Sequence, residues 1–322
     1  MLPSFAYARP RSVEEAVKHL GEPGSRLHAG GTDLLGCLHD RVFGARKVVS
    51  LGRVEALRGI RETAPGGLAI GALTTVAEVA ASPLVGERYG GLARAASEVA
   101  SPQLRNQGTI GGNLCQRPRC WYFRGQFHCA KKGGAMCYAA SGENRYHCIF
   151  GGGPCYIVHP SDTAPMLLAL GASVVVAGPA GERTVPLDGF FQLPADNLEG
   201  ENVLEVGEIV TEVRLPPPAT GLRSTYRKVR ERGAWDFALA SVALAVRLDG
   251  SRVADARIVL GGVAPVPWRS PAAEAAIRGK RLTVGTVAAA ARAAVQGAEP
   301  LEQNGYKVAL VEGIVEESLL AL

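Results

Sequence analysis

The sequence lacks the segments that would place it in a membrane or in a secretory pathway. No apolar run approaches the roughly 20 residues that a membrane-spanning helix needs. The best candidate, FALASVALAV from Phe237, is half that length. The N-terminus has no charged start followed by an apolar stretch and a small-residue cleavage site, so we predict no secretory signal. We therefore expect no membrane span and a cytoplasmic location.

An excess of one charge is also missing. The net charge is only +5, from 35 Lys and Arg against 30 Asp and Glu, and the basic residues are scattered except near the cysteines. A nucleic-acid surface needs a dense basic patch, so we expect no nucleic-acid partner. With 47% hydrophobic and 20% charged residues over 322 positions, the chain is predicted to be an ordered globular protein of two domains, or of one large and one smaller domain.

The common nucleotide signatures are absent, but the chain is rich in glycine. Neither GxGxxG nor GxxxxGK[ST] occurs, which argues against a Rossmann or P-loop site. Among the 40 glycines, two loops stand out: HAGGTDLL from His28 and NQGTIGGNL from Asn106. Such loops can point successive backbone N–H groups at a phosphate, with hydroxyl groups as further donors. Each loop alone could be an ordinary tight turn, whereas the two together suggest a bipartite pyrophosphate cradle.

Six of the seven cysteines lie within residues 115–155, and the seventh, Cys37, is expected to be a small buried apolar residue. A reducing compartment disfavours disulfides, and no C-x2-C pair supports a zinc ribbon. An iron–sulfur cubane needs four thiolates that need not be neighbours in sequence. The segment also contains six cations against Glu143 alone, a balance that suits a negatively charged cluster.

The chain divides into segments at recognisable boundaries. Residues 1–52 predict a small βαβ unit, with a helix VEEAVKHL capped by Ser12. Residues 53–215 predict a second subdomain, into which the cysteine segment is inserted. The prolines of LPPPATGL separate this unit from residues 222–322, where antiparallel strands with a hairpin at Asp249-Gly250 precede two closing helices. The fold class is therefore predicted to be α+β.

Three motifs, AGGTDL, TIGGNL and HPSDTAPMLLALGA, resemble in order and spacing the FAD-binding subunit of the molybdenum hydroxylases, the xanthine dehydrogenase family. The resemblance covers essentially the whole chain. It implies an FAD fold of the vanillyl-alcohol-oxidase type, with FAD between two N-terminal subdomains and a C-terminal domain. It also assigns residues to the cofactor: a first pyrophosphate cradle of Ala29, Gly30, Gly31, Thr32, Asp33 and Leu34, a second cradle of Thr109, Gly111, Gly112 and Asn113, and further contacts from Asp162 and Lys228.

The cysteine segment is similar to a loop found in a subset of this family, which resembles 4-hydroxybenzoyl-CoA reductase and the bacterial aldehyde oxidoreductases. In that subset the loop holds an extra [4Fe-4S] cluster, while most members have only a short connection. The fragments RCWYFR, FHC, MCYAASGENRYH and PCYIVHPSD are similar to the aldehyde-oxidoreductase version. This similarity nominates as cluster ligands Cys120, Cys129, Cys137 and Cys155. Cys115 and Cys148 are left as non-ligands, although Cys148 could replace Cys155.

The resemblance implies an electron-transfer subunit without a catalytic base or nucleophile of its own. Substrate chemistry is expected in a large molybdenum-cofactor subunit, with a small subunit of two [2Fe-2S] clusters as relay. The external electron partner would be NAD, ferredoxin, quinone or oxygen. Two alternatives remain from the residues alone: a stand-alone FAD-dependent alcohol oxidase or dehydrogenase, and a zinc-stabilised binding module.

Overall fold

The N-terminal unit is a three-stranded parallel sheet with two helices, seen in a computed structural model that describes residues 2–322. Its strand order is β1-β3-β2. The strands at 25–28 and 47–50 pair in parallel, with a helix between them in sequence, as the predicted βαβ unit requires. The predicted Ser12 cap is also confirmed, because Ser12 Oγ accepts a hydrogen bond from the Glu15 amide at 3.1 Å. Strand β1 was not predicted, since three residues give no alternating pattern. The elements are β1 (Ala6–Ala8), α1 (Val13–Leu20), β2 (Ser25–His28), α2 (Leu34–His39) and β3 (Lys47–Ser50).

The second unit is a five-stranded antiparallel sheet covered by helices, with strand order β4-β5-β8-β6-β7. The strand at 209–215 is the last of this unit in sequence, but it pairs with the strands at 67–71 and 173–178. The sheet is therefore complete only when this strand has paired. The largest apolar core lies between this sheet and the helices. The elements are β4 (Ile60–Thr63), β5 (Gly67–Gly71), α3 (Val76–Ala81), α4 (Pro83–Arg88), α5 (Gly90–Ser97), α6 (Pro102–Gln107), α7 (Ile110–Leu114), α8 (Trp121–Arg124), α9 (Thr163–Ala169), β6 (Ser173–Gly178), β7 (Gly181–Pro186) and β8 (Ile209–Leu215).

The C-terminal unit is a four-stranded antiparallel sheet, order β12-β11-β10-β9, packed against three helices. The hairpin at Asp249-Gly250 lies where the sequence predicts it. The short helix α10 was not predicted, because its seven residues follow a two-residue strand and show no extended periodicity. The elements are β9 (Leu222–Val229), β10 (Ala240–Asp249), β11 (Arg252–Gly261), β12 (Trp268–Arg269), α10 (Pro271–Ile277), α11 (Val284–Ala294) and α12 (Tyr306–Leu320). Within residues 2–322, no helix has the length and apolar character needed to cross a membrane.

The cysteine segment, residues 115–155, is held by the turn that precedes α12. Asn304 Nδ2 donates to the carbonyl oxygens of His147 and Cys148, both at 3.1 Å. Asn144 and Gln303 exchange two hydrogen bonds between side chain and backbone, at 3.1 and 2.9 Å. A segment with little regular structure needs such partners, because its buried carbonyls cannot bond to water. The C-terminal unit therefore fixes the conformation of the cysteine segment.

Replacing Asn304 with Ala tests this anchor. The substitution leaves two buried carbonyls without a donor, so we expect the free energy of unfolding to fall by about 1–3 kcal/mol. Urea unfolding monitored by circular dichroism measures the change. Gln296→Ala, at an exposed position after α11, is the matched control and should leave stability within about 0.5 kcal/mol of wild type. Equal stability of N304A and Q296A would contradict the assigned role.

Lys307 predicts a pH dependence of stability. Its side chain is buried, with Nζ donating to Gly262 O at 2.7 Å and Tyr146 O at 3.0 Å, and burial lowers its pKa from 10.5 to about 7. Above about pH 7 the folded state has released a proton that the unfolded chain still binds. The free energy of unfolding should therefore rise between about pH 7 and 10, by up to about 1.4 kcal/mol per pH unit. Urea titrations across this range should show the rise in wild type and a flatter profile in Lys307→Met; parallel profiles would refute the assignment.

Candidate functional site

The first glycine loop joins β2 to α2, and its backbone touches the second glycine loop. A Cβ atom on Gly30 would lie 1.8 Å from the carbonyl oxygen of Gln107, which is far inside contact distance. Gly31 has φ of 76°, a left-handed conformation that favours glycine. Glycine at these two positions therefore allows the loops to meet and the first loop to turn.

The second glycine loop forms the start of helix α7. Thr109 is its N-cap, with Oγ1 accepting from the Gly112 amide at 3.1 Å. Gly111 packs against Ala72, where an added Cβ would come within 2.9 Å of the alanine Cβ. The two loops together line a cavity of about 300 Å³, which we call the glycine cavity. Of the ten residues assigned to the two cradles, nine line it: Ala29, Gly30, Gly31, Thr32, Asp33, Leu34, Thr109, Gly111 and Gly112.

The glycine cavity continues into two further cavities. A middle cavity of about 210 Å³ shares with it Thr32, Asp33, Thr109, Gly112 and Gln116. An inner cavity of about 320 Å³ shares with the middle one Arg119, Pro160, Asp162, Asp236 and Phe237. These shared walls place the three cavities side by side, in a row that we call the groove; it extends from the N-terminal unit, past the second glycine loop, to the C-terminal unit. The groove suits an extended dinucleotide, whose pyrophosphate would lie at the glycine loops.

Asn113 is the tenth cradle residue, and it lines the middle cavity instead. It is buried, and its Oδ1 accepts hydrogen bonds from the hydroxyl groups of Ser161 and Thr163. Ser161 Oγ also accepts from the Ala164 amide at 3.0 Å, in the first turn of α9. The HPSD segment and the second glycine loop are thus joined by a buried hydroxyl and amide network.

Asp162 lines the middle and inner cavities, and two side chains of β9 hold its carboxylate. Tyr226 donates to Oδ1 and Lys228 to Oδ2, both at 2.8 Å. The Lys228 side chain is fully buried and also donates to Glu98 O at 3.1 Å, so it is not a solvent-exposed strand charge. Burial raises the pKa of Asp162, and Lys228 opposes this rise. Lys228 does not line the groove itself, so it acts on a bound group through Asp162.

Four cysteines surround a small cavity, which we call the thiol cavity. Its walls include Cys120, Cys129, Cys137 and Cys155, the four nominated cluster ligands. Cys148 does not line it, and its Sγ lies beside Gly152. Cys115 lines the glycine cavity, next to the second cradle, as the sequence predicts. The structure therefore brings the four nominated cysteines together without the other three.

The thiols of the cavity differ in acidity. A hydrogen bond with Cys155 lowers the pKa of Cys137 to about 6, and the same contact raises that of Cys155. Burial raises the pKa of Cys120 to about 11 and that of Cys148 to about 12. Cys137 therefore ionises more readily than Cys120 and Cys155, and a thiolate is the form that binds metal.

Carboxylates outside the cysteine segment neutralise most of its cations. Arg119 Nη1 and Arg124 Nη2 bind Asp33 Oδ1 at 2.9 and 2.6 Å, so Asp33 joins the first glycine loop to this segment. Lys131 is buried and binds Glu201 at 2.8 Å. The remaining contacts are Arg117 with Glu201, Arg145 with Glu231, and Lys132 with Gly125 O. The local excess of positive charge is therefore not, by itself, a sign of a negatively charged cluster, because its partners lie elsewhere in the sequence.

The donor sets bear on the groups that could be bound. In the part of the chain that the structure describes, no three His, Cys, Asp or Glu side chains are arranged around a single metal ion. The four cysteines of the thiol cavity are the side chains that could hold a larger group there, and Cys137 and Cys155 are in hydrogen-bond contact with each other. The close contact of two loop backbones fits a pyrophosphate cradle.

Three residues of the site were missed from the sequence. Tyr226 lies two positions before Lys228 on the same strand face, so the alternation of β9 could have indicated it. Glu201 lies in an irregular segment and gives no pattern. His147, whose Nε2 lies 3.2 Å from Cys120 Sγ, was not distinguished from the other histidines of the chain.

Comparison with known proteins identifies the family of this chain. The family described as "FAD binding domain in molybdopterin dehydrogenase" matches residues 3–218, and "CO dehydrogenase flavoprotein C-terminal domain" matches residues 224–322. The chain is 37% identical over 315 residues to the aldehyde oxidoreductase FAD-binding subunit of Escherichia coli K12, covering 96% of this chain and 95% of that one. It is 35% identical over 326 residues to the carbon monoxide dehydrogenase medium chain of Hydrogenophaga pseudoflava, covering 99% and 97%.

Solved structures show the same architecture over the full chain. Carbon monoxide dehydrogenase from Hydrogenophaga pseudoflava, in a form lacking the Mo-pyranopterin moiety, superposes with a TM-score of 0.79 at 34% identity, covering 100% of this chain and 98% of that one. Quinoline 2-oxidoreductase from Pseudomonas putida 86 gives 0.77 at 27% identity, with coverage of 100% and 97%. The predicted α+β fold is confirmed. The chain belongs to the FAD-binding subunits of the molybdenum hydroxylase family.

Proposed function

We propose that this chain is the FAD-binding electron-transfer subunit of a molybdenum hydroxylase complex, and that the cysteine segment holds a [4Fe-4S] cluster. The observation behind the flavin role is the groove that borders both glycine loops and Asp162 in a chain of this family. Bound FAD supplies the exchange between single electrons and electron pairs, and the protein supplies binding, orientation and electrostatics.

The residues of the groove have distinct tasks in this proposal. Backbone amides of 29–34, with the hydroxyl groups of Thr32 and Thr109, hold the pyrophosphate against the second glycine loop, whose amides at 110–113 donate within the chain. Asp162 accepts from a polar N–H or O–H group of the flavin nucleotide. Tyr226 and Lys228 fix the Asp162 carboxylate in place. This division of roles needs no acid or base in the chain, since substrate chemistry belongs to a partner subunit.

The proposed complex contains a large molybdenum-cofactor subunit and a small [2Fe-2S] subunit, in the cytoplasm. Relatives named as medium chains or FAD-binding subunits support this composition. The external electron partner in the proposal is NAD, ferredoxin, quinone or oxygen. We further propose domain boundaries at 1–215 and 222–322, supported by the two matched family ranges.

The [4Fe-4S] proposal is supported by the four cysteines of the thiol cavity and by their separation from Cys148 and Cys115. All four lie outside the helices and strands and border this one cavity. Zinc-stabilised and stand-alone oxidase functions gain no support from these contacts.

Replacing Gly30 with Ala tests the proposed cradle. Because the new Cβ would meet a backbone carbonyl at 1.8 Å, the two loops must separate. Overpacking of this kind costs about 1–3 kcal/mol, or roughly a tenfold to hundredfold loss in FAD affinity. The flavin-to-protein ratio after purification, with circular dichroism as a check of folding, measures the effect. Gly36→Ala in α2 is the control, since its Cβ meets only Arg124 at 3.8 Å. Full flavin content in G30A would contradict the cradle.

Serine substitutions test the cluster ligands. We expect anaerobically purified wild type to contain about four irons and one flavin per chain. Separate replacement of Cys120, Cys129, Cys137 and Cys155 should lower the iron content and leave most of the flavin. Cys148→Ser and Cys115→Ser are the matched controls and should keep the iron. Iron that persists in the first group, or that is lost in C148S, would overturn the ligand set.

A further inference from the structure

We infer that Cys120 and His147 connect the cluster to the flavin groove, with His147 as a positioning residue that donates a hydrogen bond to the Cys120 thiolate. This inference rests on the proposed function. A cluster in this segment could be an electron relay or only a structural support. The inferred connection indicates the relay, because a purely structural cluster would need no link to the groove.

Cys120 has a position that the other proposed ligands lack. Among the described residues, it is the one nominated cysteine that lines both the thiol cavity and the inner cavity. Asp162 lines the same inner cavity, at the end of the groove away from the glycine cavity. Cys129, Cys137 and Cys155 border the thiol cavity without reaching the groove. Cys120 is therefore the proposed ligand that borders both the thiol cavity and the groove.

His147 lies beside Cys120 on the side of the groove. Its side chain also lines the inner cavity, and Nε2 lies 3.2 Å from Cys120 Sγ. The residue is 3% exposed, and its ring meets the Trp121 ring edge to face with centroids 5.5 Å apart. The His147 carbonyl is held by Asn304, and its amide donates to Asn144 O at 2.9 Å. These contacts fix the ring beside the sulfur.

The chemistry of the sulfur assigns the direction of the hydrogen bond. A cysteine bound to iron is a thiolate and has no proton to donate, so the N–H group must be on Nε2. The other ring nitrogen, Nδ1, is buried without a protein partner. A proton on Nδ1 would leave a buried N–H donor unsatisfied, which raises the free energy of the folded state. A hydrogen bond to a ligand sulfur stabilises the more negative, reduced cluster and so raises its reduction potential.

Held beside Cys120, a cluster would supply one-electron exchange with a flavin bound in the groove. No bond would form or break, and the electron lost by one group would be gained by the other. His147 keeps its proton throughout. The Nε2–H group therefore influences the potential and the coupling of the two groups, and takes no part in substrate chemistry.

The test compares His147→Phe and His147→Gln with wild type in the full complex. Phe keeps a planar ring beside Trp121 but removes the N–H group, whereas Gln retains a side-chain N–H donor. His128→Phe is the control, because this exposed histidine lies in the same segment beside Cys129. Three quantities are measured: iron and flavin per chain, the midpoint potential of the cluster by redox titration with electron paramagnetic resonance, and the rate of electron exchange after rapid flavin reduction.

We expect H147F to retain iron and flavin, with a more negative cluster potential and electron exchange slowed about tenfold or more. H147Q should recover part of both changes, and H128F should match wild type. Iron loss in H147F that H147Q restores would also support a hydrogen bond to Cys120. Iron loss in both variants, or wild-type potential and rate in a fully loaded H147F, would overturn the inference. A wild-type complex without iron would overturn the proposed cluster itself.

Discussion

The site depends on the close approach of two backbone loops, at the point where Gly30 meets the carbonyl of Gln107. No side chain fits between the two loops. Main-chain atoms therefore set the position of the N-terminal parallel sheet relative to the second unit. The groove begins at this contact and continues past Asp162. Because a main-chain contact has no rotamer freedom, it sets the distance between the cradles more strictly than side-chain packing would.

Charge pairing then attaches the cysteine segment to this frame. Asp33 binds two arginines of the segment, and Glu201 binds Lys131 and Arg117. The Lys131 and Glu201 side chains are 1% and 7% exposed, so neither charge has water as a substitute partner. Loss of one member of such a pair typically costs about 3–5 kcal/mol. Asp33 thus belongs both to the groove and to the attachment of the cysteine segment.

The sequence predicts those parts of the structure that depend on local patterns. Ser12, the glycine loops and the Asp249-Gly250 hairpin were identified because each has a short local signature. The fold followed from the ordered motifs. The contacts of Glu201 and Asn304 could not be predicted, since each is an isolated polar residue whose partner lies about 70 to 160 positions away. Likewise, the six cations of the cysteine segment suggested a bound anion because their carboxylate partners lie outside the segment.

The anchoring of the cysteine segment by Asn304 and Lys307 has a consequence for biogenesis. Chains are synthesised from the N-terminus, and early segments can fold before later ones exist. The residue that fixes His147 and Cys148 follows them by more than 150 positions, so the segment stays without its anchor while about 150 further residues are synthesised. We expect its cysteines to be exposed in that interval and enclosed afterwards. The order of synthesis would then set the time during which these thiols can react with other molecules.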